Sequence, residues 1–340
     1  MNDLIEAEER IMTYRNRVFG AFISLGLLVA WCGCAAGASG GGTANASAIP
    51  SASSGSSATG GTTAYTCPSA TTSSGTLDCT ALPLGDRKYS ASAQKGYIYT
   101  CNTPTGSPVV SSAPWLNTSN GTWDLETKDV VEGSHSFAGS FSESVNGATR
   151  TISSNGLPEA PWTTGTFPIS SSDPAYQYDR NPNTITAQNF NFSVPADPTI
   201  ASTPTCLTGG PIGITTTGVA VFDGFDAAGY DAVAREVQDG CHGHPDQSGT
   251  YHVHGYLQAC VTDTGSATQN SSLLGYAADG FGIYGPWYNG KILTTADLDE
   301  CHGTTSPVEW DGKLVTIYHY VSTYDFPYTL GCYRGTPAFI

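Results

Sequence analysis

One stretch of the sequence occurs twice, and each copy is framed by cysteines. The first copy, Asp239–Cys260, contains Asp-Gly-Cys-His-Gly-His and Tyr-His-Val-His. The second, Asp299–Cys332, contains Asp-Glu-Cys-His-Gly and Tyr-His-Tyr. An Asp-Gly-Phe tripeptide precedes each copy, beginning at Asp223 and Asp279. The shared order of motifs predicts an internal duplication, with repeat units at about 219–260 and 274–332.

Eight cysteines follow the N-terminal part of the chain, an even number that is typical of disulfides in an exported protein. Equivalent cysteines of a duplication should form equivalent bonds, which predicts Cys241–Cys260 and Cys301–Cys332. Among the remaining four we favour Cys67–Cys79 and Cys101–Cys206, although other pairings stay open. Zinc–thiolate binding is the alternative, but the sequence has no Cys-x-x-Cys pair.

The N-terminal part resembles an exported lipoprotein. Arg15 and Arg17 precede a long uncharged run and a Gly-Cys pair ending at Cys34, which is the order of a secretory signal followed by a lipidated cysteine. Residues 1–34 are predicted to be this leader, and residues 35–63, rich in Gly, Ala and Ser, a flexible linker. We expect a periplasmic or outer-membrane lipoprotein, held to the membrane through Cys34, or otherwise a secreted protein.

Composition restricts both the fold and the partners. Charged residues make up only 12% of the chain, while 40 glycines accompany many Ser, Thr and Asn residues, which favours loop-rich β structure. The net charge of −16, without a basic cluster, argues against nucleic-acid binding. We predict a mainly β fold with a few short helices (α+β), forming one disulfide-stapled domain over residues 64–340.

Local patterns predict several short elements. Helical spacing of apolar residues predicts a helix at Ala227–Asp239 and a shorter one at Thr295–Glu300, capped by Thr294 or Thr295. Alternation and turn residues predict four strands before the first repeat unit. These strands are Tyr97–Cys101, Val130–Phe137, Thr149–Ser153 and Thr184–Phe192.

Seven separated motifs make the chain resemble the YHYH family of secreted and lipid-anchored bacterial proteins. They are Asn155-Gly-Leu-Pro, Asn181-Pro-Asn-x-Ile, Gly210-Pro-Ile-Gly, Cys241-His-Gly-His, Tyr251-His-Val-His, Gly275-Tyr-Ala-Ala-Asp-Gly-Phe-Gly-Ile-Tyr-Gly and Phe326-Pro-Tyr-Thr-Leu-Gly-Cys. The resemblance covers about residues 150 to 335. Three positions depart from it, Ala160, Val253 and Val321. The family implies no established reaction.

The histidines carry the chemistry that the sequence can offer. Alternate side chains of a strand share a face, so His252 and His254 should point the same way and could grip one ion. His242 and His244 form a second His-x-His pair nearby. We predict that these four bind Zn(II) or Cu(II), the ions that imidazole suits. His302 and His319 are the second choice for the metal site, or are structural residues bonded inside the core.

Three interpretations of function follow, and whether the chain is an enzyme stays open. The first is an exported protein that captures or stores Zn or Cu. The second is a metal-dependent hydrolase, with Asp223, Asp246 or Asp279 as the general base. The third is a structural cell-surface module whose histidines hold no metal. No motif indicates a nucleotide or organic cofactor, and nothing in the sequence points to a protein partner.

Overall fold

The computed structural model describes residues 65–256, 260–261 and 263–338, which belong to a unit running from Ala58 to Ile340. The rest of the chain, Met1–Ser57, is a separate unit outside the described residues. The predicted leader at 1–34, the linker at 35–63 and the lipidation site Cys34 therefore lie outside the described residues. Nowhere in the described ranges is there a helix long and apolar enough to cross a membrane.

The described residues form a mainly β fold with very little helix, as predicted. The strands before the first repeat unit are β1 (Leu82–Pro83), β2 (Tyr89–Ser90), β3 (Ile98–Tyr99), β4 (Leu116–Asn117), β5 (Thr122–Trp123), β6 (Phe141–Asn146), β7 (Thr149–Ser154), β8 (Phe190–Pro195) and β9 (Gly213–Thr215). Those that follow are β10 (Ala220–Val221), β11 (Gly243–Pro245), β12 (Tyr251–Val253), β13 (Leu273–Ala277), β14 (Gly282–Tyr284), β15 (Trp287–Tyr288), β16 (Lys291–Ile292), β17 (Gly303–Trp310) and β18 (Lys313–Val321). The helical elements are α1 (Ala232–Arg235) and two 3-10 turns, Pro174–Gln177 and Thr295–Asp297.

An eight-stranded sheet forms the centre of the fold, in the order β11-β12-β10-β9-β13-β14-β18-β17. Its strands pair antiparallel except at β10/β12 and β14/β18, which are parallel. Counted from either edge of this sheet, parallel and antiparallel strand pairs therefore follow in the same order. At the middle, Ile214 of β9 faces Tyr276 of β13. The fold also contains smaller sheets. Among them, the sheet β6-β7-β8 has the longest strands.

Two hydrophobic cores hold these layers together. The larger core includes Trp115, Trp123, Tyr251 and Tyr320, each almost fully buried. The smaller one packs β7 and β8 against the middle of the central sheet through residues such as Ile152, Phe192, Ile214, Tyr276 and Trp310. Burying each such side chain stabilises the folded state by about 1.5–3 kcal/mol. The loops that connect these short strands therefore depend on the two cores for their position.

The long predicted helix at Ala227–Asp239 is wrong in extent, because only Ala232–Arg235 is helical. Its start is delayed by a turn in which Asp226 accepts from the N–H groups of Ala228 and Tyr230 and Gly229 has a φ of 80°. Asp231 then caps the helix by accepting from the Ala234 N–H. Glu236, with a ψ of 143°, leaves the helix after one turn.

The other predicted elements are found in part. Thr295–Glu300 is reduced to the 3-10 turn Thr295–Asp297, with Thr294 at its N-cap. Thr149–Ser153 is found as β7, and Tyr97–Cys101 as the shorter β3. Only the end of Thr184–Phe192 is strand, in β8, while Val130–Phe137 forms isolated bridges at Val131 and His135 instead of a strand.

Four disulfide bonds staple the fold, and they are the pairs favoured from the sequence. They are Cys67–Cys79, Cys101–Cys206, Cys241–Cys260 and Cys301–Cys332. Disulfides persist in oxidising compartments and are rare in the cytosol. The chain is accordingly an extracytoplasmic protein.

The two Cys-His-Gly turns make matching hydrogen bonds. Asp239 Oδ1 accepts from the N–H groups of Cys241 and Gly243, and Asp299 Oδ1 accepts from those of Cys301 and Gly303. The hydroxyl of the following Tyr-His strand closes each turn, since Tyr251 donates to Asp239 and Tyr318 donates to Asp299.

The two Asp-Gly-Phe tripeptides do not match, contrary to the prediction. Asp223 follows β10, whereas Asp279 lies in the turn between β13 and β14. Asp279 also accepts from the Tyr320 hydroxyl at 2.6 Å, a contact that Asp223 does not make. The tripeptide recurs because Asp-Gly suits tight turns in general, so it is a poor guide to register.

Candidate metal centre

Three histidines meet on one face of the paired strands β11 and β12. His244 of β11 lies directly opposite His252 of β12, and His254, two residues after His252, directly follows the end of β12. His252 and His254 share a face, as strand alternation predicts. All three side chains are buried.

The ligand atoms of these histidines converge on one point. His254 Nε2 lies 3.2 Å from His244 Nε2 and 3.0 Å from His252 Nε2. A tetrahedral ion with bonds of about 2.0–2.1 Å to nitrogen holds its ligand atoms about 3.3 Å apart. The spacing of the three nitrogens therefore suits a common metal ion, and the three form the close ligand group found among the described residues.

Glu236 supplies a fourth atom to the same point. Its Oε2 lies 3.2 Å from His244 Nε2 and 3.3 Å from His254 Nε2. This oxygen is buried and has no hydrogen-bond partner of normal geometry. Because α1 ends after Arg235, the extended backbone at Glu236 allows its side chain to reach the histidines.

Backbone carbonyls orient two of the rings. His252 Nδ1 donates to the Thr250 carbonyl at 3.0 Å, and His254 Nδ1 donates to the Asp223 carbonyl. Placing the proton on Nδ1 leaves the Nε2 lone pair directed at the centre, which is the usual outer-shell arrangement of metal-binding histidines. His244 is held less firmly, since its Nδ1 has only a 3.4 Å contact with the Asn181 side-chain amide.

Burial and the carboxylate set the charges of the group. Burial lowers the pKa of His252, and it lowers the pKa of His254 to about 4. Burial also opposes the charged form of His244, but Glu236 outweighs it and raises the pKa of that ring. The same pairing lowers the pKa of Glu236 despite its burial. These shifts favour the charged forms of His244 and Glu236 and the neutral forms of His252 and His254.

The centre faces a large cavity. Its volume is about 840 Å³, and the three histidines and Glu236 form part of its wall. A group of donors that opens onto a cavity can exchange its ion and can be approached by a small molecule.

Comparison with known families identifies the part of the chain that carries this centre. Residues 191–292 match the family model described as YHYH protein. The chain contains a YHYH domain. The matched range is shorter than the range of about residues 150 to 335 over which the sequence motifs resemble the family. No curated protein and no solved structure matches the chain.

All four converging residues, His244, His252, His254 and Glu236, lie within the YHYH domain. His242, the remaining predicted ligand, does not join them. At a φ of 55° in the Cys-His-Gly turn, its ring stacks on Tyr65 with centroids 3.9 Å apart. The two His-x-His pairs therefore contribute three converging histidines and one stacked ring.

His302 and His319, the second choice for a metal site, lie outside the matched residues and stay apart from the centre. His302 Nε2 bonds the Thr323 hydroxyl at 2.9 Å, and His319 Nδ1 donates to the Ile317 carbonyl at 3.1 Å. In the sheet register, Thr304 and Val321 occupy the places that correspond to His244 and His254. In β17 and β18, only His319 thus stands at a place that corresponds to one of the three converging histidines.

The candidate catalytic aspartates separate into two groups. Asp223 and Asp246 line the cavity, and burial raises the pKa of Asp223 to about 6. Asp279 does not line it, because its carboxylate accepts from Tyr320 and from the N–H of Gly335.

Sequence reasoning missed Glu236, since it lies outside both histidine motifs and inside the helix predicted there. One signal was available, because it is the only glutamate between residues 219 and 260.

Proposed function

We propose that the YHYH domain binds one divalent transition-metal ion, Zn(II) or Cu(II), through His244, His252, His254 and Glu236, in a protein that captures or stores this ion outside the cytoplasm. The observation that carries the proposal is the buried Oε2 of Glu236, which lies 3.2 Å from His244 Nε2 and 3.3 Å from His254 Nε2 and so completes a group of four converging donor atoms. A buried carboxylate is costly unless it is paired with a positive charge, and a cation bound at the centre would supply that charge directly.

Hydrogen bonding alone accounts poorly for the group. The Nδ1 atoms of His252 and His254 both donate to carbonyls, so neither Nε2 carries a proton in the neutral rings. Their Nε2 atoms nevertheless lie 3.0 Å apart. Two lone pairs at this distance repel each other unless a cation lies between them, which favours a metal over a structural cluster.

The donor set supports the choice of ions. Neutral imidazole and carboxylate suit Zn(II) and Cu(II), while the cysteines of the described residues are held in disulfides and offer no thiolate. A net charge of −16 favours the approach of cations.

Isothermal titration of the purified protein with Zn(II) and Cu(II) tests the proposal. We expect one ion per chain and no binding by the His252→Ala/His254→Ala variant. Glu236→Gln should bind the ion at least about tenfold more weakly, because even the loss of a group that only hydrogen-bonds to a ligand weakens metal affinity by about this factor. His242→Ala and His302→Ala are the matched controls and should bind as the wild type does. Unchanged affinity in the double variant would refute the site.

A hydrolytic role is the second candidate, favoured by the cavity in front of the centre. A metal there could acidify a bound water, and Asp223 lines the same cavity as a candidate general base. Assays of the metal-loaded protein against ester and peptide substrates test this role. Absence of activity would argue for storage alone, and activity that persists in the metal-free protein would show that the hydrolysis does not depend on the metal.

Export and anchoring complete the proposed function. The order of charge, apolar run and Gly33-Cys34 supports a lipoprotein attached at Cys34, periplasmic or at the outer membrane, with residues 35–63 as its tether. Membrane attachment would hold the metal-binding domain near the surface at which it acts.

The duplication of residues at about 219–260 and 274–332 is also proposed. Its support is the matching pair of Cys-His-Gly turns and the pairing order of the central sheet, which is the same from both edges. If the units are equivalent, Asp239→Asn and Asp299→Asn should each destabilise the fold by about 1–3 kcal/mol. Denaturant unfolding that shows a loss in only one variant would contradict this equivalence.

A further inference from the structure

Asn181, the first residue of the Asn181-Pro-Asn-x-Ile motif, contacts His244 at Nδ1, the ring nitrogen that does not face the centre. Asn181 is buried, and its Nδ2 lies 3.4 Å from His244 Nδ1. Two other hydrogen bonds fix the orientation of this amide. Its Nδ2 donates to the Pro245 carbonyl at 3.0 Å, and its Oδ1 accepts from the Asn183 N–H at 3.0 Å. The group that faces His244 is therefore an NH₂ group, which donates hydrogen bonds and cannot accept them.

The three converging histidines thus differ in what lies at Nδ1. Carbonyl oxygens accept from Nδ1 of His252 and His254, so the lone pair of each neutral ring is on Nε2 and points at the centre. A donor at Nδ1 favours the opposite form of neutral His244, with the lone pair on Nδ1 and the proton on Nε2. A charged ring would carry a proton on Nε2 as well. In either form, the His244 nitrogen that faces the centre is a donor in the metal-free protein.

A metal ion would have to displace this proton. In the metal-free protein, His244 Nε2 lies 3.2 Å from Glu236 Oε2 and 3.2 Å from His254 Nε2, and both atoms can accept. With the ion bound, neutral His244 would carry its proton on Nδ1, next to an amide that cannot accept it. Histidines that bind metals normally donate from the other ring nitrogen to an acceptor, which strengthens ligation. His252 and His254 have this acceptor, and His244 has a donor in its place.

We propose that Asn181 makes His244 the exchangeable ligand of the metal centre, the one that dissociates first when the ion is released. The inference rests on the proposed function, because it concerns the exchange of the same ion. The carbonyls keep His252 and His254 oriented with or without the ion. His244 instead returns to its contacts with Asn181 and Glu236 when the ion leaves. Because all three rings line the cavity, a competing ligand can take the ion there, which suits capture and transfer better than permanent storage.

The rate at which the Zn(II)-loaded full-length protein gives up its ion to the chelating dye zincon tests the inference. We expect Asn181→Ala to release the ion about two- to tenfold more slowly than the wild type, because the donor that opposes ligation by His244 is gone and one hydrogen bond contributes about this factor. A purely structural role of Asn181 predicts the opposite, faster release from a loosened site. Asn183→Ala is the matched control, since Asn183 donates to the same Pro245 carbonyl at 3.2 Å, and it should release the ion as the wild type does.

¹⁵N NMR of the metal-free wild type gives a second readout, at a pH at which the nitrogen shifts show neutral rings. The proton should be on Nδ1 in His252 and His254 and on Nε2 in His244. A proton on Nδ1 of His244, or release from Asn181→Ala that is as fast as from the wild type or faster, would overturn the inference and leave the metal centre standing. A wild-type protein that binds no Zn(II) would refute the proposed function and the exchange together. Because the NMR measurement uses the wild type, it decides even if Asn181→Ala fails to fold.

Discussion

Burial disfavours the charged form of every buried histidine of this protein, but the net pKa shifts differ. It lowers the pKa of His242, His252, His254, His302 and His319. His244 alone among the buried rings has a raised pKa, because Glu236 outweighs burial there. A single carboxylate, that of Glu236, thus distinguishes His244 from the other buried histidines.

His302 predicts a measurable dependence of stability on pH. Burial lowers its pKa from about 6.5 in the unfolded chain to about 3 in the fold. Below pH 6.5 the unfolded state therefore binds the extra proton, and stability falls by about 1.4 kcal/mol for each pH unit. The His302→Asn variant lacks this proton, and Asn tolerates the φ of 71° at this position.

Denaturant unfolding of both proteins between pH 6.5 and pH 4 measures this effect. The stability of His302→Asn should fall less steeply with decreasing pH than that of the wild type. Parallel curves would show that His302 is protonated, or exposed, in the folded protein.

At the residue scale, the sequence predicts which histidines share a face but not what joins them. His252 and His254 follow from strand alternation, a local rule. Glu236 reaches them only because the chain leaves α1 after Arg235, and that depends on tertiary contacts such as the Arg235 pair with Asp86. The prediction that His242 joins the metal site is wrong, because its positive φ turns its ring away from that of His244.

Elements of the fold are short because caps and turns, rather than long periodic runs, define them. The Cys-His-Gly turn is an example, in which a methyl group at Gly243 would lie 2.3 Å from the Tyr251 hydroxyl and one at Gly303 would lie 2.2 Å from that of Tyr318. Glycine is therefore needed at this position of each turn, because a side chain would displace the tyrosine whose hydrogen bond to aspartate closes the turn. Periodicity alone predicts a longer helix, Ala227–Asp239, because it takes no account of the Asp226 turn that precedes α1.

The disulfides of the two turns should differ in their effect on metal binding. Each of Cys241–Cys260 and Cys301–Cys332 closes the loop that carries a Tyr-His strand. Removing either bond by paired Cys→Ala changes should cost about 2–5 kcal/mol of stability. Only the loss of Cys241–Cys260 should weaken metal affinity, because that loop carries His244, His252 and His254.

Non-reducing peptide mapping of the wild type, followed by unfolding and metal titration of the two variants, checks these expectations. Bonds crossing between the repeat units would show that the two do not close their own loops. Equal loss of metal affinity in both variants would mean that the disulfides act on the whole fold.

At the scale of the molecule, a nearly symmetric sheet carries an asymmetric site. The order of parallel and antiparallel pairs is the same from both edges, but Thr304 and Val321 stand at the places that correspond to two of the converging histidines. The mainly β class could be predicted because low charge and frequent turn residues are averages over the chain. The position of the site could not, since it depends on how β11, β12 and the end of α1 meet.

Attachment to the membrane is the prediction that concerns the whole chain. If Cys34 carries a lipid, Cys34→Ser should move the protein from the membrane to the soluble fraction, while Cys32→Ser should not. Cell fractionation followed by immunoblotting measures the distribution. A Cys34→Ser protein that stays with the membrane would contradict lipid anchoring at this residue.

The central claim is that three imidazoles and one carboxylate of the YHYH domain hold a metal ion. X-ray absorption spectroscopy of the Zn(II)-loaded full-length protein tests it most directly. The account predicts four nitrogen or oxygen neighbours at about 2.0–2.1 Å, with the scattering pattern of three imidazoles. A sulfur neighbour at about 2.3 Å, fewer than three imidazoles, or a protein that retains no zinc would contradict it.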